Sequence, residues 1–268
     1  MGESPSEVTL VRTCSALAFV LLTLPVLRAQ DSHAGNDVDN DSAIDHALQK
    51  IDARDYAEAL KILQPLAAQG VARAEFNLGM MYQKGRGVAM DNAAALSWFR
   101  KAAAQGMALA QYDIGWMYSN GAGVPQSDAE AVVWYRKAAD QGLADAEYSL
   151  GLAYTNAVGV KADDKEAAVW LRKAAEQDHA EAQGMLGALY CDGLGLDKDL
   201  VEGYKWFALS AAQAVDGARQ AIAALEPMLT PAQLAQARNA AAEWRKAHPS
   251  QTTVIDLGDP VKREDLPH

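Results

Sequence analysis

The sequence contains few cysteines. Among its 268 residues only Cys14 and Cys191 are cysteine, which is too few for a disulfide framework. Cys14 lies in a segment that is interpreted below as a leader, so one thiol would remain in the processed protein. Cys191 is therefore expected to act as a small apolar side chain within a helix.

Positive charge is also scarce. The chain has 24 Lys and Arg against 35 Asp and Glu, a formal net charge of -11, and no run of basic residues. Surfaces that bind nucleic acid or anionic membranes need clustered Lys and Arg. The composition therefore excludes nucleic acid as the expected partner, and it predicts no membrane insertion once a leader has been removed.

Sequence patterns typical of catalysis are missing too. There is no G-x-S-x-G motif, and no histidine pairs with another His, Cys or carboxylate at the spacing of metal ligands. The abundant carboxylates are interpreted as solvated helix faces. We therefore expect no enzymatic activity, no metal ion and no cofactor.

What the sequence does contain is a repeat. Hydrophobic residues make up 50% of the chain but aromatic residues only 7%, a balance that reflects many alanines and favours helices. Three residue types recur every 36 positions: Gly79, Gly115, Gly151 and Gly187; Tyr82, Tyr118, Tyr154 and Tyr190; Trp98, Trp134, Trp170 and Trp206. Such a period predicts a stack of similar units, with the recurring tyrosines and tryptophans in its core.

Each unit is predicted to be a pair of helices joined by a G-x-G-V turn. Gly79 lies inside the first helix, where it indicates that the two helices approach too closely for a side chain. The second helix of each unit has an N-cap residue at its start, and these residues are Asp91, Ser127, Asp163 and Asp199. In the third unit Ala157 replaces the first turn glycine, so the second, Gly159, is expected to be the essential one.

The repeat divides the chain into segments. Residues 1–29 are predicted to be a signal peptide, because Arg12 precedes an apolar run that ends at Leu27. The alternative is an uncleaved N-terminal segment that retains the protein. The remaining segments are an acidic flexible linker (30–42), a diverged first helix pair (43–70), four repeats (71–214), a helical cap (215–248) and a flexible tail (249–268).

The repeated motifs A-x-A-x-x-L-G-x-x-Y, G-x-G-V, D-x-x-x-A-x-x-W and K-A-A-x-Q-G extend from about Asp55 to Ala214. They resemble the Sel1-like repeat family, which is related to the tetratricopeptide repeat. The resemblance implies an all-α fold, a right-handed superhelical solenoid of antiparallel helix pairs. The segment after the last repeat is predicted from its own residues to form the C-terminal helical cap. It also implies an adaptor or scaffold that binds a protein or peptide partner.

The resemblance leaves three functions open. Bacterial members of the family are often exported, so the first is an exported scaffold in the periplasm of a Gram-negative bacterium. The second is a periplasmic regulator of a sensor kinase or of an exopolysaccharide or envelope assembly system. The third is a β-lactamase-like or cell-wall hydrolase activity, which is disfavoured because family members of that kind carry a cysteine pair in each repeat and this chain does not.

The partner is predicted to bind on one face of the first helices. In tetratricopeptide relatives the corresponding face lines a concave groove, and aromatic and apolar side chains there suit a peptide anchor. The predicted residues are Arg73, Phe76, Met80, Lys84, Leu109, Tyr112, Trp116, Asn120, Tyr148, Leu152 and Asn156. The alternative interpretation is that the aromatic row and the apolar row beside it pack between neighbouring units.

Overall fold

The computed structural model describes residues 37–249, and over this range every regular element is helical. The helices are α1 (Asp37–Asp52), α2 (Tyr56–Ala68), α3 (Ala72–Lys84), α4 (Asn92–Ala104), α5 (Ala108–Asn120), α6 (Asp128–Ala139), α7 (Ala144–Asn156), α8 (Asp164–Glu176), α9 (Ala180–Asp192), α10 (Leu200–Ala212), α11 (Ala218–Leu225) and α12 (Pro231–Ala247). One 3₁₀ turn, Glu226–Met228, separates the last two. The all-α prediction is confirmed.

The helices form consecutive pairs that stack along the chain. Within the pairs, α3 packs on α4, α5 on α6, α7 on α8 and α9 on α10. Between the pairs, α2 packs on α3, α4 on α5, α6 on α7 and α8 on α9, so each pair contacts its neighbours in sequence. This is an α-solenoid, and α1 with α2 forms the pair at its start.

The N-terminal boundary differs from the prediction. Helix α1 begins at Asp37, so residues 37–42 of the predicted linker are helical. Acidic residues in a first turn are favoured by the positive end of the helix dipole, which explains why this polar segment forms a helix. The predicted signal peptide, the start of the linker and the predicted tail beyond residue 249 lie outside the described residues.

The predicted N-caps are confirmed. The Asp91 carboxylate accepts a hydrogen bond from the backbone N–H of Ala94 at 2.9 Å. Ser127, Asp163 and Asp199 accept equivalent bonds at the starts of α6, α8 and α10. Because each cap satisfies free backbone N–H groups, every second helix begins at the same position of its unit.

The recurring glycine of the first helix lies where the two helices of a pair touch. A Cβ atom on Gly79 would be 2.6 Å from the ring of Phe99, and one on Gly115 would be 2.7 Å from the ring of Tyr135. Both distances are shorter than any ordinary contact. The predicted close approach of the helices is confirmed.

The turn glycines have two separate roles, which the third unit distinguishes. Ala157 ends α7 with φ 55°, the left-handed conformation that glycine adopts at this position in the other units. Gly159 has φ 70°, and a Cβ atom there would lie 2.2 Å from the backbone oxygen of Asp128. The turn of the third unit thus lies directly on the N-terminus of α6 in the unit before it.

The predicted C-terminal cap consists of α11, the 3₁₀ turn and α12. Thr230 and Gln233 form a capping box at the start of α12, which has Pro231 at its first helical position. Both α11 and α12 pack on α10. The cap thereby covers the last repeated helix, which would otherwise expose its apolar side.

Candidate functional site

The predicted partner-binding residues lie on α3, α5 and α7, on one surface that we call the first-helix face. In α5, Leu109, Tyr112, Trp116 and Asn120 are spaced three or four residues apart, so they lie along one side of the helix. Phe76 and Met80 on α3 pack against the same hydrophobic core as Leu109 and Trp116 on α5. The face therefore continues from the first unit to the second.

Arg73 is held by the helix pair that precedes the repeats. Its guanidinium donates hydrogen bonds to Asp41 at 3.0 Å and to Asp45 at 2.5 Å, both on α1. The Arg73 side chain is only 13% exposed. At this end of the first-helix face, the guanidinium is therefore already paired with two carboxylates of α1.

The predicted aromatic row packs into the solenoid. The ring of Phe76 lies 5.6 Å from that of Phe99, and the ring of Tyr112 lies 5.6 Å from that of Tyr135, each on the second helix of the same unit. Burial raises the pKa of Tyr112 to about 12. These contacts support the packing interpretation for Phe76 and Tyr112, although both side chains remain partly exposed.

Tyr148 packs on the next unit. Its ring stacks on His179 at a centroid distance of 4.5 Å, and burial raises its pKa to about 12. His179 caps α9 and accepts a hydrogen bond from the N–H of Ala182 at 3.2 Å. The Tyr148–His179 contact therefore joins the third unit to the fourth.

The second predicted row, Met80, Trp116 and Leu152, is partly exposed in each unit. Met80, Leu109 and Trp116 flank the core built from α4 and α5. Beside this row lie the last residues of α3, α5 and α7, which are the exposed Lys84, Asn120 and Asn156. The face thus has an apolar centre and a polar, hydrated edge.

Asp113 lies in the middle of the first-helix face and is absent from the predicted set. It is four residues after Leu109 and three before Trp116 on α5, and it is partly buried. Burial raises the pKa of Asp113 to about 7, Lys84 acts in the opposite direction, and Asp145 raises it further. The equivalent residues 36 positions away are Asn77 and Ser149, so variation between units was the signal that marked this position.

Further carboxylates lie at the end of the face nearest the fourth unit. His179 is flanked by Asp145, 3.4 Å from its Nε2 atom, and by Glu181, 3.5 Å from its Nδ1 atom. Together with Asp113 these carboxylates outnumber the one predicted lysine of the face, Lys84. This end of the first-helix face is therefore acidic, and a single carboxylate, that of Asp113, lies in its apolar centre.

Comparison with known proteins agrees with this architecture. The family model described as Sel1 repeat matches residues 72–107, 108–143, 144–179 and 180–215, which is more than half of the chain. The chain belongs to the Sel1 repeat family. Proteins of this family are in general scaffolds for protein–protein interaction and are typically not enzymes. No curated protein matches the chain.

Solved structures of other repeat proteins are similar to this Sel1 repeat chain. A Sel1 repeat protein from Oxalobacter formigenes is 30% identical with a TM-score of 0.65, and the match covers 75% of this chain and 82% of that one. A protective antigen present in uropathogenic Escherichia coli strains, which displays an SLR fold, is 35% identical with a TM-score of 0.64. That match covers 71% of this chain but only 41% of the antigen.

Each Sel1 repeat also contains a polar contact that the sequence analysis did not predict. A glutamine just after the second helix donates a hydrogen bond to a buried Glu or Gln in the first turn of the first helix. The pairs are Gln105 with Glu75 (2.8 Å), Gln141 with Gln111 (2.8 Å), Gln177 with Glu147 (2.7 Å) and Gln213 with Gln183 (3.1 Å). The signal was present in the motif K-A-A-x-Q-G, whose glutamine recurs in every repeat.

The remaining thiol is not suited to catalysis. Cys191 is partly buried, and burial raises its pKa to about 11. Because the thiolate is the nucleophile, a thiol with this pKa is protonated and unreactive near neutral pH. Residues 37–249 contain no group of three or more His, Cys, Asp or Glu side chains that could hold a metal ion. No helix in this range is both long and apolar enough to span a bilayer.

The raised pKa of Asp113 predicts a pH-dependent effect of the substitution Asp113→Asn. The folded protein binds the proton of Asp113 more tightly than the unfolded chain, so stability falls as the pH rises from 3.8 towards about 7. Asparagine removes this loss. We expect Asp113→Asn to stabilise the protein by at least about 1 kcal/mol more at pH 8 than at pH 5, since one pKa unit corresponds to about 1.4 kcal/mol.

Thermal denaturation at the two pH values measures this difference. The matched control is Asp140→Asn, which removes the same charge from an exposed residue after α6. If the effect of Asp113→Asn on stability changes between pH 5 and pH 8 no more than that of Asp140→Asn, the carboxylate of Asp113 does not destabilise the folded state.

Proposed function

We propose that this Sel1 repeat chain is a scaffold that binds a protein or peptide partner on its first-helix face. The observation that carries the proposal is the row of Met80, Trp116 and Leu152. These side chains are partly exposed, differ from repeat to repeat, and lie beside a polar edge. An apolar centre with a hydrated rim is the usual arrangement of a protein interface.

The opposite choice, a site on the second helices, is supported less well. A tryptophan recurs there in every repeat, and each of the four is covered by a lysine of its own helix. The distances from the lysine Nζ atom to the ring centroid are 3.7 Å for Lys101 over Trp98, 3.9 Å for Lys137 over Trp134, 3.8 Å for Lys173 over Trp170 and 4.4 Å for Lys205 over Trp206. Such cation–π contacts stabilise each repeat, and they leave less aromatic surface for a partner.

We further propose that the scaffold works after export, in the periplasm. The support is the apolar run after Arg12 and the potential cleavage site at Ala29. The partner would then be an envelope protein. A sensor kinase or an enzyme of exopolysaccharide or envelope assembly is the kind of partner that the family resemblance suggests, and retention by an uncleaved N-terminal segment is the alternative location.

Site-specific photo-crosslinking tests the proposal in the cells that produce the protein. A benzophenone amino acid is placed at Leu152 on the first-helix face or, as the matched control, at Val169, an apolar residue of α8 that is 50% exposed. We expect a discrete protein adduct from Leu152 and none from Val169, because only the first-helix face contacts the partner. Cell fractionation and N-terminal sequencing of the same samples are expected to find a periplasmic protein that begins at Gln30.

The outcomes separate the alternatives. An adduct from Val169 and none from Leu152 would move the binding surface to the second helices. Mass spectrometry of the adduct identifies whether the partner is a kinase, an assembly enzyme or another protein. Hydrolysis of penicillin or of peptidoglycan fragments by the purified chain would instead favour the enzyme alternative.

A further inference from the structure

The centre of the first-helix face combines an apolar surface with a carboxylate that lacks a close partner. Asp113 is located between Leu109 and Trp116, and within residues 37–249 no side chain forms a hydrogen bond or an ion pair with it. Solvent still reaches the residue. The charged groups that act on it are Lys84 on α3 and Asp145 on α7. The other titratable groups beside it are the hydroxyls of Tyr112 on its own helix and Tyr135 on α6, which are neutral because burial raises their pKa values.

Little positive charge lies near Asp113 to stabilise its ionised form. Lys84 is exposed at the end of α3 and favours the charged form of Asp113 without contacting it, whereas Asp145 opposes that form. Burial opposes it as well. A carboxylate in a partly dehydrated site is stabilised most by a cation that forms a direct ion pair with it.

The other units show that a charge is not required at this position for folding. The equivalent residue of the first unit, Asn77, donates to the backbone oxygen of Arg73 at 2.7 Å, and that of the third unit, Ser149, donates to the backbone oxygen of Asp145 at 2.8 Å. Both side chains donate a hydrogen bond within their own helix. Asp113 cannot donate such a bond when ionised, so its charge remains available to a ligand.

We infer that the partner bound on the first-helix face is a peptide segment that places a lysine or arginine against Asp113 and an apolar side chain against Trp116. The inference rests on the proposed function, since it assigns the chemistry of the ligand to the same surface. The charge of the chain agrees with it: the net charge is -11, and Asp145 and Glu181 extend the acidic surface beyond Asp113. A basic segment would be attracted to this face and would then neutralise its central carboxylate.

A library of random twelve-residue peptides displayed on phage tests the inference with the purified full-length chain. We expect the selected peptides to be enriched in Lys or Arg next to an apolar residue. Their affinity is expected to fall at least about tenfold for Asp113→Asn, because the buried ion pair is lost. It is expected to stay within about twofold for Asp140→Asn, which removes an exposed carboxylate outside the face. Circular dichroism confirms that both variants are folded.

The pH dependence provides a second readout. The ion pair needs the charged form of Asp113, so basic peptides are expected to bind the unsubstituted chain about tenfold more tightly at pH 8 than at pH 6. This difference is expected to vanish in Asp113→Asn. Selection of peptides without basic residues, or equal affinities for Asp113→Asn and the unsubstituted chain, would overturn the inference and leave the binding surface in place. If no peptide is enriched, both the inference and the proposed peptide-binding function fail.

Discussion

Gly159→Ala is expected to destabilise the protein by about 3 kcal/mol or more. The added Cβ atom would lie 2.2 Å from the backbone oxygen of Asp128, and φ is 70°, so alanine is unfavourable in conformation and in space. The left-handed conformation alone costs a non-glycine residue about 1–2 kcal/mol, and overpacking against a backbone that cannot move adds a similar amount. Denaturant unfolding of the variant measures the loss.

Two matched substitutions separate conformation from contact. Gly142→Ala introduces the same methyl group at φ 81°, where nothing lies within 4 Å, so it is expected to cost only the conformational part, about 1–2 kcal/mol. Ala157→Gly removes a left-handed alanine two residues before Gly159 and is expected to stabilise the protein by up to about 1 kcal/mol. If Gly159→Ala and Gly142→Ala lower the free energy of unfolding equally, the methyl group added at residue 159 does not clash with the backbone of α6.

The sequence predicted both the turn glycine and the glycine inside the first helix, because both depend on the repeat itself. Gly79 and Gly159 each occupy a position that recurs every 36 residues, so the comparison of units shows which residue the geometry requires. Asp91 was predictable in the same way, since a residue with a side-chain oxygen recurs wherever a second helix begins. Periodicity therefore predicts the contacts that every unit makes.

The proposed binding surface was predictable only in outline. Helical spacing placed Trp116 and Leu152 on one face, but it did not distinguish Tyr112, which packs on Tyr135, from a free anchor. That distinction depends on how closely the two helices of a unit approach. Asp113 was missed because the sequence pattern reveals aromatic and apolar rows, whereas the environment of Asp113 depends on the charges of Lys84 and Asp145 in neighbouring units.

The glutamine contacts were missed for a different reason. Gln177 and Glu147 are 30 residues apart in the sequence, and no local pattern shows that the end of α8 meets the start of α7. Once the repeats are paired in space, the alternation between Glu and Gln in the first helices has a physical meaning. A glutamine there can also donate to the unit before it, as Gln111 does to the backbone oxygen of Ala103 at 3.5 Å, and a glutamate cannot.

Gln183 is the most deeply buried of these four first-helix residues. It is fully buried and donates to the backbone oxygen of Ala175 at 3.3 Å and to the carboxylate of Asp178 at 3.0 Å. Asp178 stands where the preceding repeats have glycine, and it is itself left-handed with φ 66°. Gln213 donates both to Gln183 and to Asp178, which closes the network between the third and fourth repeats.

Gln183→Glu is therefore expected to destabilise the protein by about 3 kcal/mol at neutral pH, although glutamate occupies the equivalent position in two other repeats. The substitution removes both donated bonds and buries a negative charge against the carboxylate of Asp178, and an uncompensated buried charge costs about 3–5 kcal/mol. Gln111→Glu is the matched control, because residue 106 is glycine and offers no carboxylate to repel the new charge. Its expected cost is about 1 kcal/mol, the value of one lost hydrogen bond.

Thermal denaturation as a function of pH tests whether repulsion is the cause. Protonation of the introduced glutamate removes the repulsion, so the cost of Gln183→Glu should shrink as the pH falls, while that of Gln111→Glu should change less. Adding Asp178→Gly to Gln183→Glu should recover much of the lost stability, because it removes the opposing charge and relieves the left-handed aspartate. If the double variant is no more stable than Gln183→Glu alone, Asp178 and Gln183 are not coupled. The junction of the last two repeats would then depend on apolar packing alone.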